Sequence, residues 1–383
     1  FFLKLSVRAF YLNYYDNPLK KTKDISYQNI LGREEVKLDI NFIEKTLLGK
    51  RILITGAGGS IGSELVRQCL NFSPAKIICL DQSEEKIFEL NQEYCTSSSK
   101  EIIKIILATI NDKKIIRKVF FENQPHIVFH AAAYKHVPIQ EIHPWSAVKT
   151  NVYGTLNLVQ IADEFNIKKF VFVSTDKAVN PVSIMGATKR VAEKIIESFN
   201  QKSKTSFMAV RFGNVLGSSG SAIPIFQKQI NSGGPITITH PEITRYFMSI
   251  YEAGQLILQC CTLGVGGEIF LLEMGSPIKI VDIVKNMITL SGLEPDYDID
   301  IVYTGLRPGE KLYEELILPD EIKISTEHKK IMILKSDQDL ESWNILKLKV
   351  SELVEASVKI DSDEILIRLK NILPTYQPQM SKK

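Results

Sequence analysis

The stretch Arg51-Ile52-Leu53-Ile54-Thr55-Gly56-Ala57-Gly58-Gly59-Ser60-Ile61-Gly62 decides the fold. Its first five residues form a short apolar run, and the glycines that follow break it. Ser60–Leu70 then shows helical, amphipathic spacing. A strand, a glycine turn and a helix in that order bring backbone N–H groups and the positive end of a helix dipole to one point. Such a point suits a pyrophosphate. Gly56, Gly59 and Gly62 fit GxxGxxG, with Ser60 and Ile61 opening the helix. A glycine string alone is weak, because an ordinary glycine turn leaves the same trace. The context strengthens it: Lys76–Asp81 (KIICLD) reads as a second buried strand, and Asp81 ends it about twenty residues on. A carboxylate there accepts hydrogen bonds from an adenosine ribose and repels a 2′-phosphate, which favours NAD over NADP.

The theme repeats downstream. Ile102–Leu107, Ile127–His130 and Phe170–Ser174 are further apolar runs, with helical periodicity between them, as in Glu84–Tyr94. Near-continuous apolar strands alternating with helices predict a parallel sheet covered on both faces, hence a doubly wound α/β (Rossmann) fold. Ala131, after the fourth run, is a further candidate cofactor contact. After about Arg211 the regularity fades into glycines and short polar segments, which predicts a smaller, irregular substrate lobe. The expected division is an arm and linker over 1–48 and the cofactor domain over 49–212. A substrate lobe interleaved with the sheet follows over 213–320, then a helical extension over 321–383. Helices are expected near Asn41–Leu48, Leu340–Ala356 and Ser362–Leu373.

Composition excludes the extremes. Of 383 residues, 44% are hydrophobic and 24% charged, the balance of a globular protein with a sizeable core. Lys+Arg of 47 against Asp+Glu of 44 gives +3, too little to make nucleic acid the main partner. The five cysteines have no CxxC spacing, pointing to a reduced, cytoplasmic setting. The six histidines form no HExxH, so no metal site is expected. No apolar run reaches the roughly 18–20 residues of a membrane span. Phe1–Tyr15 is aromatic with Lys4 and Arg8, and Pro18–Lys23 reads as a basic linker. The start at Phe1 raises the expectation of a longer parent, anchored by a preceding region at the inner face of a bacterial membrane.

Four motifs carry a resemblance. TGAGGSIG (Thr55–Gly62), HAAAYKHVP (His130–Pro138), STDKAVNP (Ser174–Pro181) and MGATKR (Met185–Arg190) closely resemble extended short-chain dehydrogenase/reductases. More narrowly they resemble the nucleoside-diphosphate-sugar 4,6-dehydratases of bacterial polysaccharide and glycan biosynthesis. LGREEV (Leu31–Val36), RFGNVLGSSGS (Arg211–Ser221), TRYFMS (Thr244–Ser249) and GLRPGEKLYEEL (Gly305–Leu316) extend the match. The resemblance implies tightly bound NAD, a UDP-sugar substrate and a homo-oligomer, dimeric or larger. It implies oxidation at C4, loss of water across C5 and C6, and return of hydride to C6. Lys177 would be the base and Asp176 the acid, and Lys189 would bond the nicotinamide ribose. A neutral, working Lys177 requires desolvation or a nearby cation.

Ordinary family members carry Tyr-x-x-x-Lys; here Met185 holds the Tyr position, four residues before Lys189. A thioether exchanges no proton, so Thr175, through water and Lys189, is the nearest relay by sequence. Met at this place resembles the long-form, membrane-anchored subgroup acting on UDP-N-acetylglucosamine, and leans towards retention at C5. Lys135, Asn214, Arg245, Arg307 and Glu310 are the candidate substrate contacts, the arginines for the diphosphate and Glu310 for ribose hydroxyls. Thr109 departs from an acidic residue expected to contact adenine, and Glu273 departs from Asp. Two other readings stay open: a nucleotide-sugar 4-epimerase, which needs no Asp–Lys pair, and a non-catalytic NAD-binding module, which Met185 would suit.

Overall fold

The computed structural model describes residues 38–97, 99–336 and 341–378. The aromatic start, the basic linker and LGREEV lie outside the described residues.

Strands β1 (Arg51–Thr55), β2 (Lys76–Asp81), β3 (Ile103–Leu107), β4 (Ile127–His130), β5 (Lys169–Val173) and β6 (Ser206–Arg211) are joined by helices. All their pairings are parallel. The irregular lobe follows. It contains β7 (Asn214–Val215), β8 (Ile236–Ile238), β9 (Thr244–Arg245) and β10 (Phe247–Met248). The chain then returns to the sheet with β11 (Ile269–Leu272), beside β6. Two more lobe strands, β12 (Ile278–Lys279) and β13 (Ile301–Tyr303), pair with β9 and β8. Finally β14 (Glu321–Ser325) and β15 (Ile331–Ser336) add an antiparallel edge. The nine-stranded order is β14-β15-β11-β6-β5-β4-β1-β2-β3.

Period-two side-chain alternation explains why both faces are apolar. Leu53, Val128, Phe170, Phe172, Phe207 and Ala209 point to one face. Helices Lys113–Asn123, Thr155–Glu164, Ile184–Asn200, Trp343–Val358 and Ser362–Ile372 cover it. Ile52, Ile54, Phe129, Val171, Met208 and Val210 point to the other. It is covered by helices Ile40–Leu47, Ser60–Leu70, Glu84–Tyr94 and Ile250–Leu263. The lobe has a separate core, in which Phe226 and Ile230 of helix Ala222–Asn231 meet Ile283, Val284 and Met287 of helix Ile280–Leu290.

The doubly wound sheet agrees with the sequence pattern; several boundaries and the C-terminal region differ. β5 stops at Val173, one residue short of the expected Ser174, whose hydroxyl turns to a buried carboxylate. The first described helix begins at Ile40, where Asp39 accepts from the N–H of Phe42, and it ends at Leu47. The stretch 321–383 is not purely helical: residues 321–336 form β14 and β15. Their burial pattern is mixed, with β14 at the sheet edge and β15 just inside it, so the apolar signal was too weak to read. Among the described residues, no helix is long and apolar enough to cross a membrane.

Candidate active site

In this strand order β1 lies between β2 and β4, and the chain reverses direction of winding there. Ligands of such sheets bind at the carboxyl ends of those strands. The glycine loop occupies that place. Gly56 has φ +70°, and a Cβ on it would stand 2.6 Å from the backbone nitrogen of Ala132, after β4. A Cβ on Gly62 would stand 2.0 Å from the carbonyl oxygen of Gly56. These two positions admit only glycine, and they bring loop, helix and β4 together. Gly59 caps helix Ser60–Leu70 without a side-chain bond, which leaves the helix N-terminus open to an anion.

Asp81 holds the rim. Its Oδ2 accepts from Gly58 N–H (2.9 Å) and its Oδ1 from Ser83 N–H (2.9 Å), and both oxygens retain a lone pair. A cleft of about 200 Å³ runs past Gly56, Gly59, Asp81 and Ala131. Ile61 is half-buried against the second core face. Ser60 Oγ accepts from Ser219 N–H at 3.0 Å, which ties the loop to the lobe. A dinucleotide fits these residues: an anion-ready helix end, a Cβ-free cradle and a carboxylate at the ribose position. Thr109 accepts from Asn111 N–H, and its neighbours Ala108 and Ile110 line the cleft.

Below the cradle, His130 sits fully buried between Thr55 Oγ1 (2.8 Å, to Nδ1) and Thr155 Oγ1 (2.9 Å, to Nε2). Thr155 donates its hydroxyl proton to the carbonyl of Asn151, so it accepts from His130 Nε2–H, and Nδ1 then accepts from Thr55. Burial, with Lys189 nearby, holds this imidazole well below its usual range and therefore neutral.

The second group of candidates lies beyond β5. Thr175 caps a 3₁₀ turn, Asp176–Ala178. Asp176 is completely buried, and its N–H donates to Phe212 O at 2.9 Å. Its Oδ1 accepts from Thr175 Oγ1 (3.0 Å) and from Lys177 Nζ (3.0 Å). Lys177 Nζ also donates to Asn214 Oδ1 (3.0 Å) and stands 3.5 Å from Glu314 Oε1. Burial alone would lower the lysine's affinity for its proton, but Asp176 and Glu314 outweigh it and hold the ammonium above its ordinary value. The expectation of a partly neutral Lys177 therefore does not describe this state. Lys189 is the opposite case. It lies in helix Ile184–Asn200, one turn after the buried Met185, and donates to Val173 O at 2.6 Å. It sits 3.9 Å from the centre of the Phe172 ring, and burial pulls it down to about 7.

A second cleft, of about 250 Å³, opens over this turn and is lined by Lys177, Asn214, Arg245, Arg307, Glu310 and Glu314. Arg245 lies 3.6 Å from Glu314 Oε1 and 3.5 Å from Glu310 Oε1. Glu310 also accepts from Thr239 Oγ1 and from Arg307 N–H (3.1 Å each). Lys135 does not line this cleft; it stands at its edge, with Nζ 3.5 Å from Ser218 Oγ. Glu314 escaped the sequence reading. Its one signal was its place in the GLRPGEKLYEEL motif; of the adjacent Glu314 and Glu315, the structure buries the first and leaves the second half-exposed. Asp176 Oδ2 and Glu314 Oε2 are buried without a hydrogen-bond partner among the described residues.

A dinucleotide cradle and a buried lysine–carboxylate turn, sharing one sheet edge and facing an arginine-lined cleft, define an extended short-chain dehydrogenase/reductase of the sugar-modifying kind. Residues 52–336 match the family described as polysaccharide biosynthesis protein, and the chain belongs to that family. It is 48% identical over 357 residues to the capsular polysaccharide biosynthesis protein CapD of Staphylococcus aureus, covering 93% of this chain and 58% of that protein. The chain thus spans little more than half of that relative. It is 34% identical over 284 residues to a UDP-N-acetylglucosamine 4,6-dehydratase (inverting) of Campylobacter jejuni, covering 73% and 80%. A UDP-glucose 4-epimerase of Rickettsia bellii matches at 34% with the same coverages. Among solved structures, a dTDP-glucose 4,6-dehydratase of Streptomyces venezuelae with NAD bound shares the fold. Its TM-score is 0.63 at 20% identity, covering 70% of this chain and 88% of that one.

Proposed function

We propose that the protein dehydrates UDP-N-acetylglucosamine to a UDP-4-keto-6-deoxy sugar, with NAD held by the Gly56–Gly62 loop, Asp81, Ala131 and Lys189. The observation that carries this reading is the Asp176–Lys177 pair, 3.0 Å apart, with Lys177 lining the arginine-lined cleft and Asp176 fully buried beside it. When bound, NAD supplies the acceptor for the C4 hydride and the donor that returns it to C6. Arg245 and Arg307 hold the diphosphate, and Glu310 the ribose hydroxyls. Lys189, with its affinity for a proton near neutrality, accepts the proton of the 4-hydroxyl through Thr175 and an intervening water, because Met185 cannot. The 4-ketone acidifies the C5 proton. Transfer of one proton from Lys177 Nζ to Asp176 Oδ1 turns the ion pair into a neutral amine and a carboxylic acid, the base and acid that elimination needs. Lys177 then takes the C5 proton and Asp176 gives its proton to the departing 6-hydroxyl. Water leaves, and the ion pair is restored.

A 4-epimerase is the second reading, favoured by the Rickettsia relative. Epimerisation removes no C5 proton and gives the Asp176–Lys177 pair nothing to do. Mass spectrometry of the product decides: loss of one water supports dehydration, and an unchanged mass sinks it. The expectation of a homo-oligomer and of a membrane-anchored, cytoplasm-facing parent belongs to the same proposal. Gel filtration with light scattering tests the first, and fractionation of cells making the whole parent protein tests the second.

A further inference from the structure

Helix Ile184–Asn200 carries Glu193 one turn beyond Lys189. Glu193 is fully buried and does not line either cleft. A carboxylate there needs partners, and it has them. Its Oε1 accepts from Ser174 Oγ (2.6 Å) and Arg211 Nε (3.1 Å). Its Oε2 accepts from Arg211 Nη2 (2.9 Å) and Arg190 Nη1 (2.9 Å). Arg211, itself fully buried, bonds Glu321 through Nη1 (2.8 Å) and Nη2 (3.1 Å), and Glu321 Oε2 accepts Leu318 N–H (2.8 Å).

Each end of this cluster begins a segment that delivers a site residue. Ser174 precedes Thr175, Asp176 and Lys177. Arg211 precedes Phe212, whose carbonyl receives Asp176 N–H, and Asn214, which receives Lys177 Nζ. Leu318 and Glu321 follow Glu314. A buried ion cluster is a poor device for stability, since apolar residues of the same volume do as well or better. Fixed geometry is what it adds.

We propose that Glu193 is the positioning residue of the catalytic turn: through Ser174 it sets Asp176 and Lys177 against the Arg211–Asn214 and Glu314–Leu318 segments, and it places a carboxylate one helical turn from Lys189. The inference rests on the roles given above to Asp176, Lys177 and Lys189. Around Lys189 stand Glu193 on its own helix, Val173 O and Phe172 on β5, and the neutral His130 on β4. Glu193 favours the charged form of Lys189, so its neutralisation moves the lysine further down.

The full chain is tested with Ser174→Ala, Ser174→Thr and Glu193→Gln. Ser174→Ala is expected to lower kcat about tenfold or more. KM for the UDP-sugar and the melting temperature should stay near wild type, and Ser174→Thr, which restores the hydroxyl, should recover most of the rate. In Glu193→Gln the side-chain titration of Lys189, followed by NMR with labelled lysine, is expected to move to lower pH. The limb of the pH–rate profile that follows Lys189 should move with it. Wild-type rates in Ser174→Ala, no recovery in Ser174→Thr, or an unmoved Lys189 titration overturns the proposal. A wild-type protein that yields no dehydrated product overturns the dehydratase reading instead, and the titration still judges Glu193.

Discussion

Lys177 and Lys189 are both largely buried, yet their surroundings act in opposite senses. Two carboxylates hold Lys177 charged, whereas Lys189 has a carbonyl, a ring face and one carboxylate a turn away. On the base role proposed for Lys177, Lys177→Met is expected to lower kcat by roughly 10²–10⁴-fold, read by product formation under saturating substrate. Lys189→Met makes a separate prediction about stability. The lysine binds its proton at about 7 in the fold and near 10.5 when unfolded, so between those values the unfolded chain holds the extra proton. The contribution of Lys189 to the stability of the wild type consequently rises with pH from about 7 to 10.5, and the cost of the buried lysine is fully present below about 7. Urea melts at pH 7.5 and 9.5 should show the advantage of Lys189→Met shrinking at the higher pH. The strand–loop–helix place of the glycine loop and the strand-end place of Asp81 could be read from local spacing, while the roles expected of Asp176 and Lys177 came from the motif resemblance. Glu193, Arg211 and Glu314 were not legible, because their partners lie far along the chain and no local pattern announces a buried ion pair.

Elements show the same division between local and distant causes. The strand–loop–helix unit at residues 51–70 could be read directly, and its tolerance is correspondingly small. In Gly62→Ala the new methyl group would meet backbone, not a movable side chain. The variant is expected to lose about 1–3 kcal/mol in denaturant melts and to retain less NAD on gel filtration. The C-terminal helices were legible by periodicity, but not their site of packing. Trp343 stacks edge-on against Phe199 with ring centres 4.7 Å apart, and Ser198 Oγ donates to Glu341 O at 3.1 Å. Leu346, Val350, Leu353, Ile365 and Leu369 extend the core across helix Ile184–Asn200. Trp343→Ala is expected to cost about 2 kcal/mol, seen as a lower urea midpoint with an unchanged m-value. The edge strand β14 and its neighbour β15 stayed hidden because, half in water, they lack the continuous apolar signature of β1 or β4.

At the scale of the whole molecule, one sheet serves two clefts. NAD and UDP are expected to raise the melting temperature separately, because the sites proposed for them lie in different clefts, and together more than either alone. NADP should give a smaller shift than NAD, since its extra phosphate would meet the Asp81 carboxylate. Thermal denaturation with each ligand at equal concentration reads all three outcomes. Four of the five thiols, Cys69, Cys79, Cys260 and Cys261, are buried in the second core face. A native thiol titration is accordingly expected to find one reactive group, Cys95, and a denatured one five.

The ion pair between Arg211 and Glu321 also has a meaning in time. Synthesis delivers the guanidinium long before the second of its two carboxylates, and Glu321 arrives on the strand that closes the sheet's far edge. A chain still on the ribosome, with residues past about 316 not yet made, has strands β1 to β13, the glycine loop and the Asp176–Lys177 turn. It also has a buried cation only half neutralised. Completion of the ion cluster behind the Asp176–Lys177 turn is thus coupled to emergence of the last strands, and a chain cut off before them lacks the second carboxylate that Arg211 pairs with.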